Sequence, residues 1–264
     1  MKKILIIGAG SIGNHFTNAC RRLGYNTSVT DISAKSLKLM KTKIFPKRYK
    51  KWDQNIKLVS HSGLKDNLKN NTYDLVVIGT PPDTHLKIFN QIKNYNIKNI
   101  LIEKPLCSFK QNENLFLKYP KNLKVFCGYN HSVSKSFNYF IKKIQNKKFN
   151  FIKVNWNESW HGILAAHFWM KNEYDSYLGD YKMGGGALQE HSHGLHLLLI
   201  VSKILKININ RKKIKSISMF KSYKKKKYDV MNLINYKKNK VSLFLEINLI
   251  NNPAIKNLIC FSNS

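Results

Sequence analysis

Three glycines, Gly8, Gly10 and Gly13, follow an apolar run from Ile4 to Ile7 and open a helix-like segment. In a strand–turn–helix context each has a separate task. The first permits the tight turn, the second lets a pyrophosphate approach the backbone, and the third lets helix and strand pack closely. The helix start, carrying Ser11 and Ile12, would offer unpaired N–H groups and a positive dipole end to phosphates. An acid, Asp31, ends the next strand-like segment, Asn26 to Thr30. Its carboxylate suits ribose hydroxyls and repels a 2′-phosphate, which favours NAD; Lys35 close by keeps NADP open. A flavin- or nucleoside-binding turn, or a plain tight turn, is the alternative reading.

A second group of residues lies in Gly184-Gly185-Gly186-Ala187-Leu188-Gln189-Glu190-His191-Ser192-His193-Gly194-Leu195-His196. Three glycines let a backbone pass close to a ligand and enter a helix. On a helix over about Ala187 to Lys206, Glu190 and His193 share a face. A carboxylate beside an imidazole is a workable acid–base pair. His196 continues that face towards an apolar run and reads as packed, and His191 points elsewhere. Glu190, His191, His193 and His196 are all potential metal ligands. Hydride transfer needs no metal, however, and none is expected. A third candidate, Lys104, stands at the carboxyl end of a strand in Glu103-Lys104-Pro105, where open α/β sheets bind ligands.

These groups need elements to hold them. Apolar strands at Lys2–Ile7, Asn26–Thr30, Leu75–Ile78, Asn99–Ile102 and Lys124–Cys127 alternate with helices ending near Leu23 and Lys93. That pattern predicts a doubly wound parallel sheet. From Phe151–Asn157 the pattern changes. Strand-like stretches at Lys213–Phe220, Asp229–Tyr236, Val241–Ile250 and Ile255–Phe261 predict an open, mainly antiparallel sheet carrying one helix. The division expected is residues 1–123 for dinucleotide binding and 124–264 for substrate binding and oligomerisation. Trp156, Trp160, His161, His167, Trp169, Tyr174 and Tyr177 make an aromatic segment suited to sugar rings, to an interface or to packing.

Composition restricts the remaining classes. The chain has 264 residues, 46 Lys and Arg against 14 Asp and Glu, and a formal net charge of +32. Nearly all the excess is scattered Lys alongside much Asn and Ile, which reads as codon bias rather than phosphate recognition. The run Lys224–Lys227 reads as a solvated turn between strands. Nucleic-acid binding is therefore the weak alternative. Dispersed Cys20, Cys107, Cys127 and Cys260 suggest reduced thiols. The N-terminal apolar run is too short for a signal peptide and no stretch suits a membrane span, so a cytoplasmic protein is expected.

The ordered set Gly8-Ala9-Gly10-Ser11-Ile12-Gly13, Gly79-Thr80-Pro81-Pro82-Asp83-Thr84-His85, Glu103-Lys104-Pro105-Leu106, Gly128-Tyr129-Asn130-His131 and Gly184-Gly185-Gly186-Ala187-Leu188 resembles the glucose–fructose oxidoreductase, inositol dehydrogenase and rhizopine-catabolism family (Gfo/Idh/MocA). The resemblance implies a Rossmann domain followed by an α/β domain. It puts Lys104 against nicotinamide ribose and substrate, and Thr80, Pro81, His85 and Glu103 at the cofactor. The common family pattern has an acid followed four residues later by His. Here that place holds Gly194, and the chain resembles a branch with Glu-His-Ser-His associated with nucleotide-sugar or surface-glycan pathways. His193 is favoured over His191 as the catalytic imidazole. Family members usually continue for several more strands, so a naturally short or a truncated chain is expected.

The resulting expectation is an NAD(P)-dependent oxidoreductase moving hydride between nicotinamide and a sugar, polyol or nucleotide-sugar carbon. Lys104 and His193 would handle the proton, with Glu190 orienting His193. The alternative is an inactive or regulatory dinucleotide-binding protein. A homo-oligomer joined through the second sheet is also expected, disrupted by Leu243→Lys or Leu245→Lys; an irregularity in the last long strand would interrupt its alternation.

Overall fold

The computed structural model describes residues 1–109 and 118–262. The chain divides into two compact units, Met1–Gly128 and Tyr129–Ser264.

The first unit is a six-stranded parallel sheet. Its elements are β1 (Lys3–Ile7), α1 (Ser11–Arg22), β2 (Asn26–Thr30), α2 (Ala34–Leu39), α3 (Phe45–Tyr49), β3 (Lys57–Val59), α4 (Leu64–Asn70), β4 (Leu75–Ile78), α5 (His85–Ile92), β5 (Asn99–Ile102) and β6 (Lys124–Cys127). The strand order is β3-β2-β1-β4-β5-β6. That is the doubly wound order, with its switch point between β1 and β4. The sheet is covered on both faces, which explains strands that read as unbroken apolar runs. Ile4 and Ile6 join Val29, Met40 and Phe45 on one face. Leu5 and Ile7 join Val76, Ile78, Phe89 and Ile102 on the other. Because β6 pairs in register with β5, Lys124–Gly128 belong to this unit, five residues beyond the division expected from sequence.

One irregular turn in this unit bears on the site. Between α2 and α3 the backbone widens to a π-helix over Met40–Ile44. A widened turn shifts every later side chain around the axis, and such turns recur near functional sites. Just beyond it, Arg48 and Tyr49 of α3 lie alongside the first turns of α1.

The second unit contains α6 (Lys135–Ile144), β7 (Phe151–Asn157), α7 (Trp160–Ala166), α8 (Ala187–Glu190), α9 (Ser192–Ile204), β8 (Lys215–Tyr223), β9 (Lys226–Lys238), β10 (Val241–Asn248) and β11 (Ile255–Phe261). Its five strands lie in the order β11-β7-β10-β9-β8. Only β7 and β10 run parallel; the other pairs are antiparallel. One face carries Ile152, Val154, Leu243, Leu245, Ile247 and Tyr236, packed with Leu197, Leu198 and Val201 of α9.

Three expectations are corrected here. The helix expected from Ala187 to Lys206 is interrupted at His191, which leaves helical geometry and separates α8 from α9. The strand irregularity falls not in β10, whose register is continuous, but in the β8–β9 pair, where the partners jump from Met219↔Met231 to Phe220↔Asp229. Leu243 and Leu245 are buried core residues, so charging them would attack the core rather than an interface.

Candidate active site

The first unit's cluster is built on contacts between loops. A Cβ at Gly8 would lie 2.7 Å from the Gly79 carbonyl oxygen, so the β1 and β4 loops abut at the switch point. A Cβ at Gly13 would lie 1.9 Å from the Gly8 carbonyl oxygen. Gly10 differs: a Cβ there would meet no protein atom within 4 Å. The space before α1 is thus open, and no side chain caps the helix start. Those features fit a diphosphate lying against the backbone. Asn14 braces the turn from within, donating from Nδ2 to the carbonyls of Ala9 (3.0 Å) and Gly10 (2.8 Å). Asp31 is half-buried at the end of β2. Its Oδ2 accepts the Ala9 N–H at 2.8 Å and its Oδ1 accepts the Ser33 N–H at 2.8 Å. It therefore fixes the glycine loop and keeps a second lone pair on each oxygen for a ribose.

Thr80 and Pro81 are half-buried on the β4 loop, and the Thr80 hydroxyl pairs with that of Thr84 at 2.7 Å. His85 is fully buried. Its Nε2 lies 2.7 Å from the Thr80 carbonyl oxygen and its Nδ1 lies 3.0 Å from that of Pro105. The ring ties the β4 loop to the Glu103-Lys104-Pro105 loop. With no exposed atom it braces the two loops. Burial pulls its pKa below the usual imidazole range, against the opposing effect of the carbonyls.

Glu103 is buried; its Oε2 accepts the Lys104 N–H at 3.1 Å. A Cβ at residue 128 would come within 2.5 Å of its Oε1, so Gly128 makes room for the carboxylate. Burial first, then the Glu103 charge, pushes the neighbouring Cys127 thiol up to about 12. That thiol stays protonated and unreactive. Lys104 itself is half-buried beside a cis Lys104–Pro105 peptide.

The second unit carries a cluster of rings. His193, on α9, lies edge-on to Tyr129 at 5.7 Å and to His131 at 4.6 Å between centroids. Trp156 completes the group, 4.8 Å from His131 and 5.8 Å from His193. His196 stacks on Tyr129 at 4.0 Å, and burial lowers its pKa. His191 is buried at the helix break, and Glu190 is half-buried at the end of α8. Position 194 faces the sheet: a Cβ there would come within 2.8 Å of Trp156 Cβ. A histidine at that place would be driven against Trp156 and the sheet. Among the described residues no group of three His, Cys, Asp or Glu side chains is arranged to hold a metal ion.

The glycines before α8 serve the protein's own packing. A Cβ at Gly185 would lie 2.2 Å from the Tyr177 carbonyl oxygen, and one at Gly186 would lie 2.0 Å from Asp229 Oδ1. Gly186 also has φ +90°. The buried Asp229, from β9, accepts the Leu188 N–H at 2.8 Å on Oδ2 and so caps α8 from another element. Asn14, Arg48 and Asp229 were missed by sequence reasoning, and His131, quoted in the stretch Gly128-Tyr129-Asn130-His131, was given no role there. Only Asn14, directly after the third glycine, had a positional signal. The aromatic segment mostly packs on itself and on β8–β9: Trp160 donates to the Tyr228 hydroxyl at 3.1 Å, and Tyr174 lies against Tyr223 and Tyr228. Trp156 of that set lies within the histidine cluster.

A strand order of this kind with an open glycine cradle defines a nucleotide-binding Rossmann unit. Residues 2–129 match the model of the Gfo/Idh/MocA oxidoreductase family, NAD-binding Rossmann fold, and the first unit belongs to that family. Among solved structures, the chain is similar to the WlbA dehydrogenase from Bordetella pertussis in complex with NADH and UDP-GlcNAcA. That match has a TM-score of 0.73 at 13% identity and covers 99% of this chain and 74% of the other. It is also similar to the UDP-N-acetylglucosamine 3-dehydrogenase GnnA from Acidithiobacillus ferrooxidans, with a TM-score of 0.66 at 12% identity, covering 99% and 71%. At these identities the likeness is one of fold. No curated protein sequence gives a significant match.

Proposed function

We propose that the chain is an NAD-dependent dehydrogenase or reductase acting on a hydroxyl or carbonyl carbon of a nucleotide sugar. The observation that carries this reading is the open space at Gly10 before an uncapped α1, in a unit of an NAD-binding oxidoreductase family. NAD, when bound, accepts or returns hydride at the nicotinamide C4. Gly8, Gly10, Ser11, Ile12 and Gly13 hold the diphosphate, and Asp31 accepts from a ribose hydroxyl. Thr80, Pro81 and Glu103 shape the loops beside it, which His85 braces. Removing hydride from an alcohol carbon leaves a hydroxyl proton to be taken up, and reduction requires that proton back. Lys104 and His193 are the groups we assign to it on the family resemblance, with Glu190 close in sequence to His193. The nucleotide-sugar class is supported by the fold likeness to WlbA and GnnA and by the Glu-His-Ser-His pattern at Glu190–His193.

The test is a screen of purified protein with NAD and NADP against UDP-N-acetylglucosamine, its uronic acid, other nucleotide sugars and free polyols, following nicotinamide absorbance. Turnover restricted to nucleotide sugars supports the proposal. Turnover only on free polyols would move the substrate class. Cofactor binding without turnover on any of them would favour the regulatory alternative.

A further inference from the structure

We propose that the groove between the outer face of α1 and residues 50–55 is a binding site for a small anion carrying a flat ring, with a nucleoside phosphate as its type. The groove lies in the first unit and encloses about 800 Å³, a volume that suits a small-molecule ligand. Its α1 wall carries Asn18 and Arg22, four residues apart and therefore on one face of the helix. Arg22 ends α1, roughly 16 Å along the helix axis from Ser11. The charged end of the groove is thus separate from the open ground at Gly10.

The floor is aromatic. Phe45 is buried, and Tyr49 and Trp52 stand edge-on to it at 4.8 and 5.3 Å between centroids. Both outer rings are half-buried and line the groove. Above them the lining holds three cations, Arg21, Arg22 and Lys51, against one acid, Asp53. That acid is already engaged: its Oδ2 accepts from Arg21 Nε at 2.7 Å and its Oδ1 accepts the Asn55 N–H at 2.9 Å. Arg21 also donates to the Tyr25 carbonyl oxygen at 2.8 Å. Arg22 and Lys51 are exposed, and among the described residues neither side chain meets an acid or a hydrogen-bond acceptor. The side-chain amides of Asn18 and Gln54 have no partner among the described residues either, and the Trp52 indole N–H donates to none of them. Two uncompensated cations at the rim call for an anion, and a guanidinium beside an ammonium suits phosphate oxygens. The floor suits a nucleobase, whose π-face stacks on aromatic side chains. The amides are then placed for the base edge or the ribose hydroxyls. A cationic ligand would be repelled by the rim, and an aliphatic anion would leave the floor unused.

Calorimetric titration of the full chain tests this with AMP, adenosine and inorganic phosphate as probes, each beside excess NAD so that the ground at Gly10 is occupied. Arg22→Ala and Lys51→Ala should each weaken AMP by about tenfold, the usual effect of losing a charge-assisted contact. Trp52→Leu should weaken it by about tenfold through lost stacking. The two halves of the ligand should separate: adenosine should respond to Trp52→Leu alone, and inorganic phosphate to Arg22→Ala and Lys51→Ala alone. NAD affinity should stay the same in all three. Arg22 and Lys51 are exposed, so their variants should melt like wild type. Trp52 packs on Phe45, and Trp52→Phe keeps a ring there should the leucine variant unfold; it should retain most of the AMP affinity. No AMP uptake beside NAD, or wild-type AMP affinity in both Arg22→Ala and Lys51→Ala, would overturn the proposal. Polyglutamate binding as tightly as AMP would overturn the need for a ring. Affinity for single-stranded RNA that climbs with length far past that for AMP would assign the groove to a polymer and equally overturn it.

Discussion

At the scale of single residues, the two glycines Gly10 and Gly13 separate binding from folding. Gly13→Ala puts a methyl 1.9 Å from a carbonyl oxygen; the strand–helix joint must shift, and a lower melting temperature is expected. Gly10→Ala meets nothing in the protein. It should melt like wild type yet bind NAD at least tenfold more weakly, because its methyl occupies the diphosphate's ground. Equal NAD affinity in Gly10→Ala and wild type would contradict the placement of the diphosphate. Lys104→Ala is expected to lower kcat by about 10²–10⁴-fold, the usual worth of a general acid or base, while NAD affinity stays within a few-fold. His85 gives a pH dependence. Burial depresses its pKa in the fold, so the unfolded chain takes up the proton first. Its contribution to stability is present above about pH 6.5, the ordinary histidine value, and is lost as pH falls through the lower folded pKa. Melting temperatures taken from pH 7.5 to 5 should fall less steeply for His85→Gln than for wild type; parallel slopes would contradict the assignment.

At the scale of elements, Asp229 links β9 to the start of α8. Asp229→Ala removes the cap on Leu188 N–H and is expected to lower stability by roughly 1–2 kcal/mol, in the range of lost helix caps, measured by denaturant unfolding. The same elements show what the sequence made legible. Strands β2, β4, β5, β6, β7 and β11 fall where the apolar runs placed them, because each is short and bounded by turn residues. The break at His191 was not legible: the run Ala187 to Lys206 keeps helical spacing throughout. Flanking the break are tertiary contacts that side-chain spacing does not encode, the seat of Asp229 at Gly186 and the close approach of Gly194 to Trp156. Arg48 was invisible for a related reason. A π-helix leaves no pattern in side-chain type, and a chain this rich in cations hides the one that grips the start of α1. The glycine loop was legible because three residues of one type must sit at fixed spacing for backbone to meet phosphate.

At the scale of the whole molecule, the second unit's sheet has one face under α9 and one face open. Met219 is 54% and Ile217 68% exposed on β8, and Phe261 is 52% exposed on β11. Between them, on the same face, lie half-buried Leu233 and Phe244. An apolar stretch of this kind marks an interaction surface in soluble proteins. We expect a second copy to cover it. Light scattering at micromolar concentration should report a dimer or larger, and Met219→Lys with Phe244→Lys should yield a folded monomer; a monomeric wild type would contradict this. Leu243→Lys and Leu245→Lys should instead unfold the unit. The proposed hydride transfer between nicotinamide and substrate carbon can be followed by isotope. With a substrate deuterated at its reacting carbon and NAD as acceptor, mass spectrometry should find the deuterium on the reduced cofactor, transferred without exchange with water. Product formed with the deuterium in solvent, or retained on the substrate carbon, would contradict the account.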